Sequence, residues 1–298
     1  MTCLLAIESG KLDNKVIVDD TVLSSYGSGI YISVGEELSL RDLLYGLMLR
    51  SGNDAALMVA KYVSLNVSDF VNLMNEKALE IGMKNTIFVN PSGLDNIDSG
   101  NYSTAYDMAL LTRYAMRYDE YRKIVSTKSY TLKTNMKTYI WKNKNKLLSE
   151  DYVTGGKTGY TKRAHRTLVS TGSKNNINLV IVTIRDSDDW NTHKSLYNNI
   201  FSKYKSYKFL DKDEFKLSNN KYYKGDFYIK NDVFIPLLGN ELDKINGNVE
   251  LDVKSNYKTG DKIGNYVIYF NHDVIYKEGI YIKIQNKKKK KIFKGLFS

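Results

Sequence analysis

Two short stretches carry residue types that could do chemistry. In Ser51-Gly52-Asn53 a hydroxyl and an amide are separated by one glycine, so both can project from one short bent loop. In Gly155-Gly156-Lys157-Thr158-Gly159-Tyr160-Thr161 a cation and a hydroxyl stand side by side among glycines. On a strand edge they offer a positive point charge and a hydroxyl donor. That pair suits the carboxylate end of an extended peptide bound as an added strand. Gly159 leaves room for another backbone to lie alongside. Taken alone, the stretch also reads as a surface lysine in a glycine-rich hairpin.

The elements that must position these residues are well signalled. Ser39 with Asp42 forms a capping-box pattern, and Leu40, Leu43, Leu44, Leu47 and Met48 give the following helix an apolar face. A second helix is predicted from Asp54 to about Val63, so Ser51-Gly52-Asn53 falls in a tight junction between helices. Ser68 is read as the cap of a helix over Asp69 to Ile81, closed by Gly82. Thr104 with Asp107 starts one from Ala105 to about Tyr118. Val16-Ile17-Val18 and Ile30-Tyr31-Ile32 read as short strands. The lysine stretch is followed by strand-like Leu168–Thr171 and, after a turn at Asn175-Asn176, by Leu179–Ile184. A helix from about Asp188 to Tyr204 packs back.

From about Ser206 the character changes to short alternating segments broken by Asn, Asp and Gly, such as Tyr266–Phe270 and Ile280–Ile284. These predict an antiparallel β domain. The expected division is 1–205, 206–285 and a basic amphipathic tail over 286–298. In that tail Lys287 to Lys291 precede Ile292, Phe293, Leu296 and Phe297, a pattern for contact with a membrane surface.

With 298 residues and a net charge of +11, the chain suits two domains and an anionic partner: nucleic acid, an anionic membrane, or an anionic cell wall. One cysteine, Cys3, excludes an internal disulfide. With three histidines, metal and other cofactors are not expected. No stretch approaches the roughly 18 apolar residues of a membrane span. Met1 to Glu8 reads as the last two turns of a buried helix ended by Gly10, so the sequence is expected to begin inside a domain.

Ser51-x-Asn53 and Lys157-Thr158-Gly159, in this order and context, resemble the second and third motifs of the penicillin-recognising serine acyl-enzymes. Further stretches resemble the D-alanyl-D-alanine carboxypeptidases, the low-molecular-weight penicillin-binding proteins. They are Leu49–Ala56, Phe88-Val89-Asn90-Pro91-Ser92-Gly93-Leu94, Tyr102–Ala109 and Asn145-Lys146-Leu147-Leu148.

The resemblance implies an α/β (α+β) fold. A β-lactamase/transpeptidase-like domain, with an antiparallel sheet and a helical subdomain, would precede a small all-β C-terminal domain. It implies cleavage between two D-alanines of a peptidoglycan stem peptide through an acyl-enzyme. Ser51 would be the proton-shuttle hydroxyl and Asn53 the substrate-orienting amide. Lys157, Thr158, Gly159 and Thr161 would hold the terminal carboxylate. It further implies the extracytoplasmic face of the bacterial membrane, and no nucleic acid.

The resemblance has two departures. The family's first motif, Ser-x-x-Lys, does not stand near the start. Met1-Thr2-Cys3-Leu4-Leu5 resembles the family's continuation of that motif's helix, so the nucleophile and its lysine base are expected upstream of Met1. β-Lactam antibiotics are then expected to bind only when that segment is restored. Ser126-Thr127-Lys128 and Ser202-Lys203 lack the buried-helix context. The second departure is His165, where the family usually has Gly; nearby Lys162, Arg163 and Arg166 read as solvated in preference to adding positive charge to the carboxylate site. Two other readings stand beside the enzyme: a non-catalytic relative that binds cell-wall peptide, and an inactive gene fragment. Gly52 and the added β domain argue against a β-lactamase.

Overall fold

Apolar residues at helical spacing decide where the first core forms. Helix α1 (Thr2–Glu8) is buried from Thr2 to Ile7. Helix α2 (Leu40–Arg50) buries Leu40, Leu43, Leu44 and Leu47, and α3 (Asn53–Ser64) buries Ala55, Ala56, Met58 and Val59. These faces share one hydrophobic cluster. The computed structural model describes residues 1–96, 99–217, 222–253 and 255–284. The expected tail over 286–298 lies outside them.

The chain divides into two units. One comprises Met1–Lys174 with Asn178–Ile200; the other comprises Asn175–Ile177 and the chain from Phe201 onward. In the first unit, β1 (Lys15–Ile17) pairs antiparallel with β2 (Glu37–Ser39). After α3 come α4 (Val67–Ile81), α5 (Ala105–Ala115), α6 (Asp119–Ser126) and the antiparallel hairpin β3 (Ser129–Lys133)–β4 (Thr138–Lys142). A three-stranded sheet follows in the order β5 (Val153–Thr161), β6 (His165–Lys174), β7 (Ile177–Ile184). Asn175 and Asn176 join β6 to β7 with φ of 52° and 60°, the left-handed pair a tight hairpin turn requires. Helix α7 (Asp189–Lys203) lays buried His193 and Tyr197 on the sheet. Both rings bond Ser170 of β6, His193 Nδ1 at 2.7 Å and the Tyr197 hydroxyl at 2.8 Å.

In the second unit, β8 (Lys205–Leu210) pairs antiparallel with β10 (Val233–Leu237). β9 (Asp226–Ile229), β11 (Ile245–Leu251), β12 (Lys262–Phe270) and β13 (Asp273–Lys283) form an antiparallel sheet in the order β11-β12-β13-β9. Ile263, Ile268, Ile280 and Ile282 fill its core. The mixed helix-and-sheet fold with a C-terminal antiparallel sheet agrees with the expectation.

Three local expectations need correction. Helix α4 begins at Val67 and is capped by Asn66, whose Oδ1 accepts from Asp69 N; Ser68 is inside the helix. Helix α5 stops at Ala115, short of Tyr118. Ile30–Ile32 is not a strand. Its N–H groups point at the buried carboxylate of Asp54, which replaces a strand partner.

Candidate active site

Ser51 ends helix α2 by leaving the right-handed helical region, with φ 60° and ψ 47°. Its N–H still bonds back to Leu47 O at 3.0 Å. Gly52 follows because a Cβ there would press on Asp54 Oδ1 and the Ile30 side chain. Helix α3 then starts at Asn53. Asn53 N donates to Ser28 O at 2.8 Å, and its Nδ2 donates to Tyr26 O at 2.7 Å. Asp54 fixes the junction from below. Its carboxylate accepts from Ile30 N at 3.0 Å, Tyr31 N at 2.7 Å and Ala55 N at 2.8 Å. The bend carrying Ser51 and Asn53 is thus tied to the 26–32 loop by backbone bonds.

Lys157 comes to this junction from the sheet. Its Nζ donates to Ser51 Oγ at 2.6 Å and to Thr158 O at 2.6 Å. Strand β5 is an edge strand of its sheet among the described residues, with Lys157 opposite Val169. Alternation along the strand places Gly159 and Thr161 on the Lys157 side, and Thr158 on the other. Gly156 takes φ 148°, and a Cβ there would overlap Val169 O, so glycine lets β5 lie this close to β6. Asn145, buried at 4% exposure, holds the start of the strand. Its Oδ1 accepts from Leu147 N at 3.1 Å while its Nδ2 reaches Gly155 O at 3.4 Å.

Burial, with the neighbouring charge of Lys144 adding to it, pushes the Lys157 ammonium down to a pKa of about 8. The group is therefore a cation at neutral pH that gives up its proton more easily than an ordinary lysine. Thr161 closes the β5–β6 turn by accepting from Ala164 N at 2.9 Å, and as acceptor it keeps its own hydrogen to donate. His165 takes φ 57° beside it, the left-handed region that favours glycine. Next to Asn53 a cavity of about 170 Å³ is lined by Tyr26, Leu57, Pro91 and Leu94 among others.

The structure thus brings Ser51 and Lys157 into contact, with Asn53 two residues on across the bend and Thr158, Gly159 and Thr161 along the same edge strand. A family model described as D-alanyl-D-alanine carboxypeptidase matches residues 1–188. The chain belongs to the D-alanyl-D-alanine carboxypeptidase family. It is 36% identical over 189 residues to D-alanyl-D-alanine carboxypeptidase DacF of Bacillus subtilis, covering 61% of this chain and 48% of that protein. It is 30% identical over 277 residues to D-alanyl-D-alanine carboxypeptidase DacA of Haemophilus influenzae, covering 87% of this chain and 66% of that protein. The chain spans about half to two thirds of the length of these relatives. The crystal structure of penicillin binding protein 5 from Haemophilus influenzae superposes with a TM-score of 0.72 at 26% identity, covering 95% of this chain and 88% of that one.

Within this family frame, reasoning from motifs missed two supporting residues. Asp54 stands next to the Ser51 motif, and its role depends on N–H groups 22 to 24 positions away in the chain. Asn145 was visible only as part of a matched stretch; a buried asparagine just before a short 3-10 turn at Lys146–Ser149 is the signal that marks it. No Ser-x-x-Lys spacing occurs in residues 1–200. The first, Ser202-Lys203-Tyr204-Lys205, sits where α7 gives way to β8, with both Ser202 and Lys205 exposed.

Proposed function

We propose that this chain provides the substrate-holding half of a serine-type D-Ala-D-Ala carboxypeptidase that trims peptidoglycan stem peptides. The observation that carries the reading is the hydrogen bond from Lys157 Nζ to Ser51 Oγ, which joins the cationic edge strand to the helix junction. A peptide laid along β5 would add main-chain hydrogen bonds, and Gly159 would admit its backbone. Its terminal carboxylate would meet Lys157 and the hydroxyl of Thr161 on the same side of the strand, while Thr158 holds the lysine through its carbonyl. Asn53 would orient the peptide amide, and Ser51 would pass a proton between Lys157 and the reacting groups. In the acyl-transfer step a serine oxygen attacks the carbonyl between the two D-alanines and its proton passes to a neutral lysine. The C–N bond then breaks as the departing D-alanine amine takes a proton. We assign that serine and its lysine base to residues outside these 298.

The absence of Ser-x-x-Lys from residues 1–200 supports a second reading, a non-catalytic relative that binds the same peptide without cutting it. Two measurements separate the readings. Nα,Nε-diacetyl-Lys-D-Ala-D-Ala should bind, and Lys157→Ala should weaken that binding at least tenfold; unchanged affinity would remove Lys157 from the site. Labelled penicillin should not attach covalently to this chain, and a stable adduct would place the nucleophile within it. A protein extended upstream with Ser-x-x-Lys that acquires penicillin labelling supports the enzyme; one that stays unlabelled supports the binding relative.

We also propose that residues 286–298 rest on an anionic membrane surface at the outer face of a bacterial cell. The charge run followed by large apolar residues supports this. Deleting the segment should reduce binding to phosphatidylglycerol vesicles, with the loss greatest at low salt. Equal vesicle binding with and without it would make the run a solvated end.

A further inference from the structure

Lys157 is one of three cations gathered around Ser51, and the proposed function leaves two without a role. Arg50 is the last residue of α2, and its Nη1 donates to Lys142 O at 3.3 Å. Lys144 follows two residues later, and its N–H donates to Leu49 O at 3.1 Å. The end of β4 is thus laced to the end of α2, and this brings Lys144 to the helix end that carries Arg50 and Ser51. The charges act on one another. Burial and then the field of Arg50 lower the Lys144 pKa, and burial and then Lys144 lower that of Lys157.

Among the described residues none of the three makes an ion pair with an Asp or Glu. Elsewhere in the same unit some basic side chains are matched: Arg41 with Asp13 and Glu120, Lys61 with Asp19, Lys77 with Glu8 and Glu80. Like charges held together without a counter-charge raise the free energy of the fold, and an anion relieves them. A single terminal carboxylate on Lys157 neutralises one charge and leaves two. The forked guanidinium of Arg50 presents parallel N–H donors that match a second carboxylate.

We propose that Arg50 and Lys144 form a second anion subsite, so that the preferred ligand is a peptide with two carboxylates. One is the terminal carboxylate at Lys157. The other lies further back on the peptide, as on a γ-linked glutamate whose α-carboxylate is free. The proposal rests on the carboxylate-holding role of Lys157, and it separates free-acid stem peptides from amidated ones.

Calorimetry with two peptides tests it: L-Ala-γ-D-Glu-L-Lys-D-Ala-D-Ala, and the same peptide with the glutamate α-carboxylate amidated. The free acid should bind about fivefold more tightly at low salt, the size expected for one partly exposed charge contact. The preference should shrink as salt shortens the range of the interaction. Lys144→Gln and Arg50→Gln should each bring the two affinities together, while Lys128→Gln, an exposed lysine before β3 whose carbonyl accepts from Asn143 N, should keep them apart. Equal affinity for the two peptides overturns the second subsite and leaves Lys157 in place. A preference that survives in the Arg50→Gln/Lys144→Gln double variant also overturns it. Failure of both peptides to bind removes the carboxylate-holding role and this subsite together.

Discussion

Lys157 Nζ lies 2.6 Å from Ser51 Oγ, although 106 positions separate the two residues in the chain. The contact makes one site of two elements with unrelated folding signals, an edge strand and a bend between helices. It also places the lysine where burial works against its charge.

That burial gives a pH dependence. The Lys157 pKa is about 8 in the fold against an ordinary 10.5. A carboxylate needs the ammonium form, so peptide affinity should hold below pH 8 and fall as pH rises through it. Lys157→Arg, which stays charged, should move the fall well upward. Stability follows the opposite sign. Between pH 8 and 10.5 the unfolded chain holds a proton that the folded chain has released, so this group's contribution makes the fold more stable as pH rises across that window. Calorimetric titrations across the range check the first effect. A flat affinity profile would show that Lys157 is not the carboxylate partner.

Asp54 should be among the most sensitive positions near the site. It accepts from the N–H groups of Ile30, Tyr31 and Ala55 while almost fully buried. Asp54→Ala strands those donors and should destabilise the fold by about 3 kcal/mol in urea unfolding. The bend at Ser51 should loosen with it, so peptide affinity measured well below the unfolding transition should drop too. A loss under about 1 kcal/mol would mean that the loop finds other acceptors.

His165 should respond in the opposite direction. It is exposed, and it takes a φ of 57° that a Cβ disfavours. His165→Gly should raise stability by about 1 kcal/mol, read as a higher urea midpoint. A lower midpoint would show that the imidazole contributes contacts worth more than the strain.

His193 sets an acid limit. Burial holds its pKa down to about 4 against an ordinary 6.5, while Ser170 and Thr183 bond its two ring nitrogens. The unfolded chain takes up a proton between pH 6.5 and 4 that the folded chain resists. Stability should therefore fall as pH drops through that window, with the penalty complete below 4. His193→Gln should flatten the fall relative to the parent protein in parallel urea titrations at several pH values. Identical slopes would assign the acid loss to carboxylates alone.

Local signals were legible where they were self-contained. Ser39 and Asp42 do form a capping box: Asp42 N donates to Ser39 Oγ at 3.1 Å, and Ser39 N to Asp42 Oδ2 at 2.8 Å. The apolar stripe of α2 faces the core as its spacing predicted. Thr104 caps α5 as read, but the Asp107 carboxylate turns away to Asn85 N and Thr86 Oγ1, a tertiary use that no local pattern announces. Ile30–Ile32 failed for the same reason, since β-branched residues suggested a strand while a distant carboxylate took their N–H groups. Of the site, the residue types were readable from motif order. The direct bond between Ser51 and Lys157 and the unmatched charges of Arg50 and Lys144 required the tertiary fold.

The second bond of Lys157, to the carbonyl of Thr158, has a consequence for how an anion is met. An ammonium has three N–H donors, and Ser51 Oγ and Thr158 O take two of them. Those two bonds fix the head group, so the third donor is already aimed when an anion arrives. Little of the long side chain's rotamer freedom is left to be frozen out on binding, and the cost of capture is lower for it.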